Sequence, residues 1–399
     1  MSISSLKIYN ANIITPNRVI NNGTLIVENG RIKLISEVSI DYKTEQEIDA
    51  KGNFLSPGFI DIHVHGGAGH DFMDNTIEAY LEIAKLHARY GTTSFTPTTL
   101  SCENEDLLKT LELYEQAEKE NTAGAEFIGM HIEGPYFSIK ERGAQDPRFI
   151  RYPDAKEYED IVKRSSIIKR WSAAPELEGA IEFGRFLKSK GILPSIAHTD
   201  AIYEEVLAAY EIGYSHVTHF YSCMSTVSRR NAYRYAGVVE SAYLLDGLTV
   251  EIIADGIHLP PPLLKLVYKI KGPDKIALVT DAMRAAGMPP GESILGGLKN
   301  GLKVLVEDGV AKLPDRSAFA GSVATTDQLV RNMINLAEVP LTDAIKMMTA
   351  TPAKIMGVDD KKGSLVEGKD ADIVLFDEQI NVLYTIVGGK VIYNSHHHQ

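Results

Sequence analysis

His63 and His65 stand two residues apart at the end of the apolar run "FIDIHVH". Side chains alternate along an extended strand, so both imidazoles point to one face, where they can share a divalent cation. A lone H-x-H is a weak signal, because paired histidines also occur half-buried and hydrogen-bonded to loops. Four more apolar runs finish in a ligand type: "FIGMHIEGP" in Glu133, "SIAHT" in His198, "HVTHF" in His219 and "LVTDA" in Asp281. Histidine with carboxylate suits Zn²⁺ or Fe²⁺, and a catalytic set leaves one position open for water. A purely structural reading would have to hold independently at five strand ends, so the pattern predicts a metal site. His131 shares a face with Glu133, either beside the metal or in packing. His87, in a helical pattern, and His70, in a glycine-rich loop, receive no role. His216, three residues before His219, is expected to face the other way and to be structural.

Elements of two kinds must position these residues. Residues 6–55 read as short β segments, with period-2 alternation broken by a turn at Asn29-Gly30, and the segments after residue 357 repeat that style. Both ends are expected to build one small β-sandwich domain, residues 1–56 with 358–395. From residue 57 to 357, short apolar runs such as "TSFTPTT", "RWSAAPE", "TVEIIADG" and "KIALVTDA" alternate with helical patterns such as "TIEAYLEIAKLHARYG", where Gly91 is a C-cap candidate. Eight such strands predict a (β/α)8 barrel, with a doubly wound open sheet as the alternative. In a barrel the chemistry sits at the C-terminal strand ends, where these polar residues fall.

The chain of 399 residues is 44% apolar and carries a formal charge of -12. That balance argues against nucleic acid and anionic membrane as partners, and means that an anionic ligand must be held by a few local cations. The first residues lack a charged leader before an apolar segment, and no apolar run approaches a spanning helix, so a cytoplasmic protein is expected. Cys102 and Cys223 cannot form a disulfide framework and are expected as free thiols. The His-containing tail, residues 396–399, stays outside the site, since a short exposed histidine tract binds metal only weakly without a frame.

The segments "PGFIDIHVHGG", "HIEGP", "AHT", "HF" with its following Met, "ADGIH", "LVTDAM" and "AGS" occur in the order seen in the amidohydrolase superfamily. Over nearly its whole length the chain resembles the N-acetylglucosamine-6-phosphate deacetylases most closely. The resemblance implies one metal, Zn²⁺ first, with Fe²⁺, Co²⁺ or Mn²⁺ as alternatives, on Glu133, His198 and His219. It also implies a second position on His63 and His65 with the same glutamate; some members lack that pair and use one ion. Asp281 is expected to be the base, taking a proton from the attacking water and returning it to the departing amine. "HFYSCMSTVSRRN" resembles the family's phosphate loop, in which an arginine from the neighbouring subunit meets the phosphate. Arg230 matches it, which implies a homodimer, and His258 matches a substrate-contacting histidine.

Three departures bear on the substrate. Ser222-Cys223 replaces the family's Asn-Ala, Gln145 stands where many members have histidine, and "NAYRYAGVVESA" is longer than the usual segment. A glutamine amide can donate to an oxyanion but carries no charge. Gln145, Ser222 and Cys223 are therefore expected to contact substrate, with the sugar epimer left open. The expected reaction is hydrolysis of the acetamide of N-acetylglucosamine 6-phosphate. Alternatives are the galactosamine epimer or another N-acyl amino-sugar phosphate, a metallo-phosphoesterase, and a non-catalytic sugar-phosphate sensor.

Overall fold

The computed structural model describes residues 5–397, so that His398 and Gln399 of the tail lie outside it. The two ends of the chain meet in one eight-stranded sheet. Its strands Ser5–Ile14, Val19–Glu28, Arg31–Ser36, Gln46–Asp49 and Phe54–Pro57 come from the start; Ile373–Phe376, Val382–Val387 and Lys390–Asn394 come from the end. The join is the strand Phe54–Pro57, parallel to the first strand and antiparallel to Ile373–Phe376, with Leu55 opposite Leu375. Alternate apolar residues, Leu6, Ile8, Ile13, Leu25, Leu55, Ile373 and Ile386 among them, pack into one core cluster. This face is what the period-2 pattern encodes.

Gly58 carries the chain straight from that sheet into the strand Phe59–Val64, buried along its whole length. A Cβ on Gly58 would lie 2.0 Å from Thr93 Oγ1, so only glycine lets the neighbouring strand approach this closely. Phe59–Val64 pairs in parallel with Thr92–Pro97, which pairs with Glu126–Phe127. A second parallel run follows in chain order: Met130–Glu133, Ile168–Ala173, Leu193–Ile196, His216–Val217, Thr249–Ile252 and Ile276–Leu278. Single parallel bridges join the two runs at both edges, Thr98 to His131 and Val64 to Ala282. Asp61, on the first strand, also accepts from Thr280 Oγ1 at 2.5 Å, across the second of these edges.

Helices fill the crossovers. Ile77–Arg89 starts at Thr76, whose hydroxyl accepts from the Ala79 amide, and the turn after it closes at Gly91 with φ of 94°. Pro261 opens Pro261–Lys271 at a position where a missing N–H costs nothing. Among the described residues no helix is long and apolar enough to cross a membrane.

One feature is absent from the strand-and-helix reading of the sequence. After Ile276–Leu278 an antiparallel sheet of four strands intervenes, Gly291–Leu295, Leu302–Glu307, Val310–Lys312 and Phe319–Ser322, before the helices Thr326–Asn335, Leu341–Met348 and Ala350–Ile355. Arg284 ties it down: Nη2 donates to Asp74 Oδ1 at 2.6 Å and to the Gly296 carbonyl at 2.7 Å. The predicted strand "HVTHFY" also shortens to His216–Val217, because His219 leaves the extended conformation with φ of 27°.

Candidate metal centre

Glu133 is the last residue of its strand, and His65, His198, His219 and Asp281 follow the C-terminal ends of theirs within three residues. His198, His219 and Asp281 have φ of 45°, 27° and 49°. Positive φ is uncommon for non-glycine residues and gathers at functional sites, where the surrounding structure imposes it. Here it turns three side chains into the mouth of the parallel strands.

Two groups of metal-ligand type form around a common Glu133: His63 and His65 on one side, His198 and His219 on the other. His219 Nε2 lies 3.0 Å and His198 Nε2 3.4 Å from Glu133 Oε1, and the two Nε2 atoms are 3.1 Å apart. On the other side His63 Nε2 is 3.6 Å from Glu133 Oε1, His65 Nε2 is 3.5 Å from Oε2, and the two nitrogens are 3.2 Å apart. Asp281 Oδ1 faces this second pair, 3.2 Å from His65 and 3.5 Å from His63.

The backs of the rings settle which nitrogen is free. His198 Nδ1 lies 2.9 Å from the Glu141 carbonyl and His219 Nδ1 3.2 Å from that of Ser222; a carbonyl only accepts, so each Nδ1 carries the hydrogen. His63 Nδ1 is likewise 2.6 Å from Glu251 Oε1. In their neutral forms all three rings then aim an Nε2 lone pair at its neighbours and at a carboxylate. Lone pairs and anionic oxygens at such distances repel unless a proton or a metal cation lies between them, and an outward Nδ1–H to an acceptor is the usual support of a metal-bound imidazole. The residues therefore fit a divalent ion on each side of Glu133.

Burial alone would raise the Glu133 carboxyl, but His63, His198 and His219 hold it well below the usual range. Asp281 is lowered in the same sense: burial opposes, while His63 and the hydrogen bond from His65 prevail. Both are carboxylates at neutral pH. Burial works against a charged His63, yet Glu251, Asp281 and Glu133 carry it up to about 9.

A cavity of about 290 Å³ opens over the cluster, near the lower bound for small-ligand sites. His65, Glu133, His198, His219, Asp281, Gln145, Ser222, Cys223 and His258 all line it. Gln145 is held at both ends, accepting from the Ser101 amide at 2.9 Å and donating to Glu133 Oε2 at 2.8 Å. His258 is fixed by Asp255, whose Oδ2 lies 2.7 Å from Nδ1. Arg230 is elsewhere: it lies on the exposed hairpin Ser228–Arg230 and Tyr233–Tyr235, its guanidinium 5.5 Å from the Tyr235 ring centre. Cys102 and Cys223 are free thiols. His131 packs edge-on against His63 at 4.8 Å and bonds Ser172. His87 is buried against the Gly66 carbonyl.

His216 is buried and stands outside both ligand groups: its Nδ1 lies 2.8 Å from Thr249 Oγ1 and its Nε2 3.2 Å from Glu251 Oε2, a carboxylate that also accepts the His219 backbone amide at 2.9 Å. Sequence reasoning missed Glu251 and Arg170, both fully buried under the cluster and joined at 2.6 Å. The signal was available, since a charge inside a strand that is buried on both faces requires a partner. "TVEIIADG" and "RWSAAPE" supply opposite charges in two such strands. Phe319 and Gly321, from the intervening sheet, line the pocket; Gly321 falls in the "AGS" segment, whereas Phe319 carried no sequence signal.

The family model for the amidohydrolase family matches residues 54–392, and the chain belongs to that family. It is 35% identical to the N-acetylglucosamine-6-phosphate deacetylase of Bacillus subtilis (strain 168), covering 98% of both chains. It is 32% identical to the N-acetylgalactosamine-6-phosphate deacetylase of Escherichia coli O157:H7, covering 95% of this chain and 97% of that one. The crystal structure of N-acetylglucosamine-6-phosphate deacetylase from Pasteurella multocida superposes with a TM-score of 0.90 at 29% identity, covering 97% of this chain and 99% of that one.

Proposed function

We propose that this amidohydrolase removes the acetyl group of N-acetyl-D-glucosamine 6-phosphate, giving D-glucosamine 6-phosphate and acetate, as a step of amino-sugar catabolism in the cytoplasm. The observation that carries the reading is the pair of ligand groups sharing Glu133 under a small pocket, with the Asp281 carboxylate facing them. Glu133, His198 and His219 would hold one divalent ion, Zn²⁺ in the first instance, and His63, His65 and Glu133 a second. When bound, such an ion supplies a Lewis acid that acidifies water and polarises an amide carbonyl.

The chain's own residues do the rest. Asp281, ionised and held beside His65, accepts the proton of the attacking water at Oδ1 and returns it to the amide nitrogen as the C–N bond breaks. Gln145 directs its amide towards the acyl end of the pocket, braced by Ser101 and Glu133, and can donate to the developing oxyanion. His258, oriented by Asp255, and the Ser222-Cys223 turn contact the sugar.

The lining of this pocket includes no lysine or arginine among the described residues. A phosphate must then find its cation outside the lining, which supports a homodimer in which the exposed Arg230 reaches the neighbouring site. The two edge bridges support a closed (β/α)8 barrel over residues 57–357. The single sheet built from both ends supports a small β-sandwich domain over residues 1–56 with 358–395, leaving 396–399 as a tail; residues 1–4 and 398–399 lie outside the described residues.

The similarity to an N-acetylgalactosamine-6-phosphate deacetylase, together with Gln145 and Ser222-Cys223, supports a second reading in which the 4-epimer is a substrate. A panel of N-acyl hexosamine 6-phosphates, assayed with Zn²⁺, Fe²⁺, Co²⁺ and Mn²⁺ added separately to metal-free protein, decides between them. Acetate release from the glucosamine compound is expected; phosphate release without acetate would sink the deacetylase reading.

A further inference from the structure

Beneath the cluster lies a layer of charge that the reaction does not use. Glu251 and Arg170 are completely buried, on strands of the parallel sheet with two others between them, and bond through Glu251 Oε2 and Arg170 Nη1 at 2.6 Å. Arg170 spends three of its other donors downward and sideways, on Ser195 Oγ at 3.0 Å, Thr218 Oγ1 at 2.7 Å and the Ile62 carbonyl at 3.1 Å. Four of the five guanidinium N–H groups thus have acceptors, and hydrogen bonding of this kind is the condition under which buried charge is tolerated. The remaining oxygen, Glu251 Oε1, points up to the site and accepts from His63 Nδ1 at 2.6 Å and from the His219 amide at 2.9 Å.

We propose that Glu251, anchored by Arg170, is the positioning residue that locks His63 in the Nδ1–H form with Nε2 turned to the second metal position. The inference rests on the metal-centre reading above. Alternative acceptors for His63 Nδ1 are absent from its described hydrogen bonds, whereas the side chain of His219 keeps the Ser222 carbonyl whatever happens to Glu251. Loss of the Glu251 acceptor should therefore weaken the His63 position more than the His219 position. Outer partners of this kind typically govern about 10 to 100-fold in metal affinity.

Zn²⁺ titrated into the metal-free full chain and into two double variants, R170M/E251Q and R170M/E251L, tests this. Both variants remove the buried charges together, and only the glutamine retains an acceptor oxygen for His63. Relative to R170M/E251Q, R170M/E251L is expected to bind the weaker Zn²⁺ about 10 to 100-fold less tightly, with the tighter ion changed far less. Equal Zn²⁺ binding in the two variants, with two ions in the unaltered chain, overturns the positioning role alone. A single Zn²⁺ in the unaltered chain removes the second position and the inference with it. A reading independent of variant folding comes from long-range ¹H–¹⁵N spectra of histidine-labelled, zinc-loaded unaltered protein. H63Q identifies the His63 signal. A protonated Nδ1 with bare Nε2 supports the assignment, and a protonated Nε2 overturns it.

Discussion

The two halves of the proposed metal centre share Glu133 but differ in what stands behind their histidines. His198 and His219 lean on backbone carbonyls of Glu141 and Ser222, in loops that also wall the pocket. His63 leans on a buried carboxylate, itself paired to a buried guanidinium, and His65 Nδ1 has no hydrogen-bond partner among the described residues. One half is set by loop geometry at the mouth, the other by charge in the floor. Affinity at the first should depend on the loops, and at the second on electrostatics deep in the sheet.

The strongest way to break the distinction is to remove what the halves share. E133Q is expected to lose both ions and to lower acetate release by about 1,000-fold, the equivalent of several kcal/mol of charge stabilisation. Metal content measured beside turnover would contradict a shared role if either ion stayed in place. Next come the halves separately: H219N should approach the E133Q loss, while H65N should give up one ion and about 10 to 100-fold in rate. Equal losses in H219N and H65N would erase the proposed ranking of the two positions.

A smaller effect, on stability, isolates the floor. R170M strands the Glu251 carboxylate in a fully buried site and should cost about 3–5 kcal/mol, read as a shifted denaturant midpoint. An unchanged midpoint would mean that the floor is not electrostatically held. The smallest effect is a control far from both halves. Lys271 bonds the Ala242 carbonyl, and burial pushes its amine down to about 8, below its ordinary 10.5. Between those values the unfolded chain binds more protons, so this group makes stability rise with pH from about 8 to 10.5. K271M should flatten that rise without touching metal affinity; a slope unchanged in the variant would contradict it.

How much of this was legible beforehand divides along the same line. The candidate ligands at strand ends were legible because each interrupts an apolar run at its terminus, where the parallel architecture puts chemistry, and the structure brings them into two groups that could hold a metal. Gln145 and His258 were legible only through family resemblance, yet the pocket includes both. Arg170 and Glu251 carry an equally local signal, a charge within a buried strand. Their pairing joins strands that are not neighbours in the sheet, and no spacing along the chain records that. Phe319 reaches the pocket from a sheet whose position is fixed by Arg284 and Asp74, far apart in sequence.

The strand that delivers His63 begins one residue after Phe54–Pro57, and that strand is edged by Ile373–Phe376 from near the far end of the chain. During synthesis the strand Ile373–Phe376 must emerge before this edge can be sealed. The half of the centre that depends on the floor is thereby tied to a strand made long after it, and a nascent chain arrested before Ile373 would leave the root of the His63 strand with an open edge.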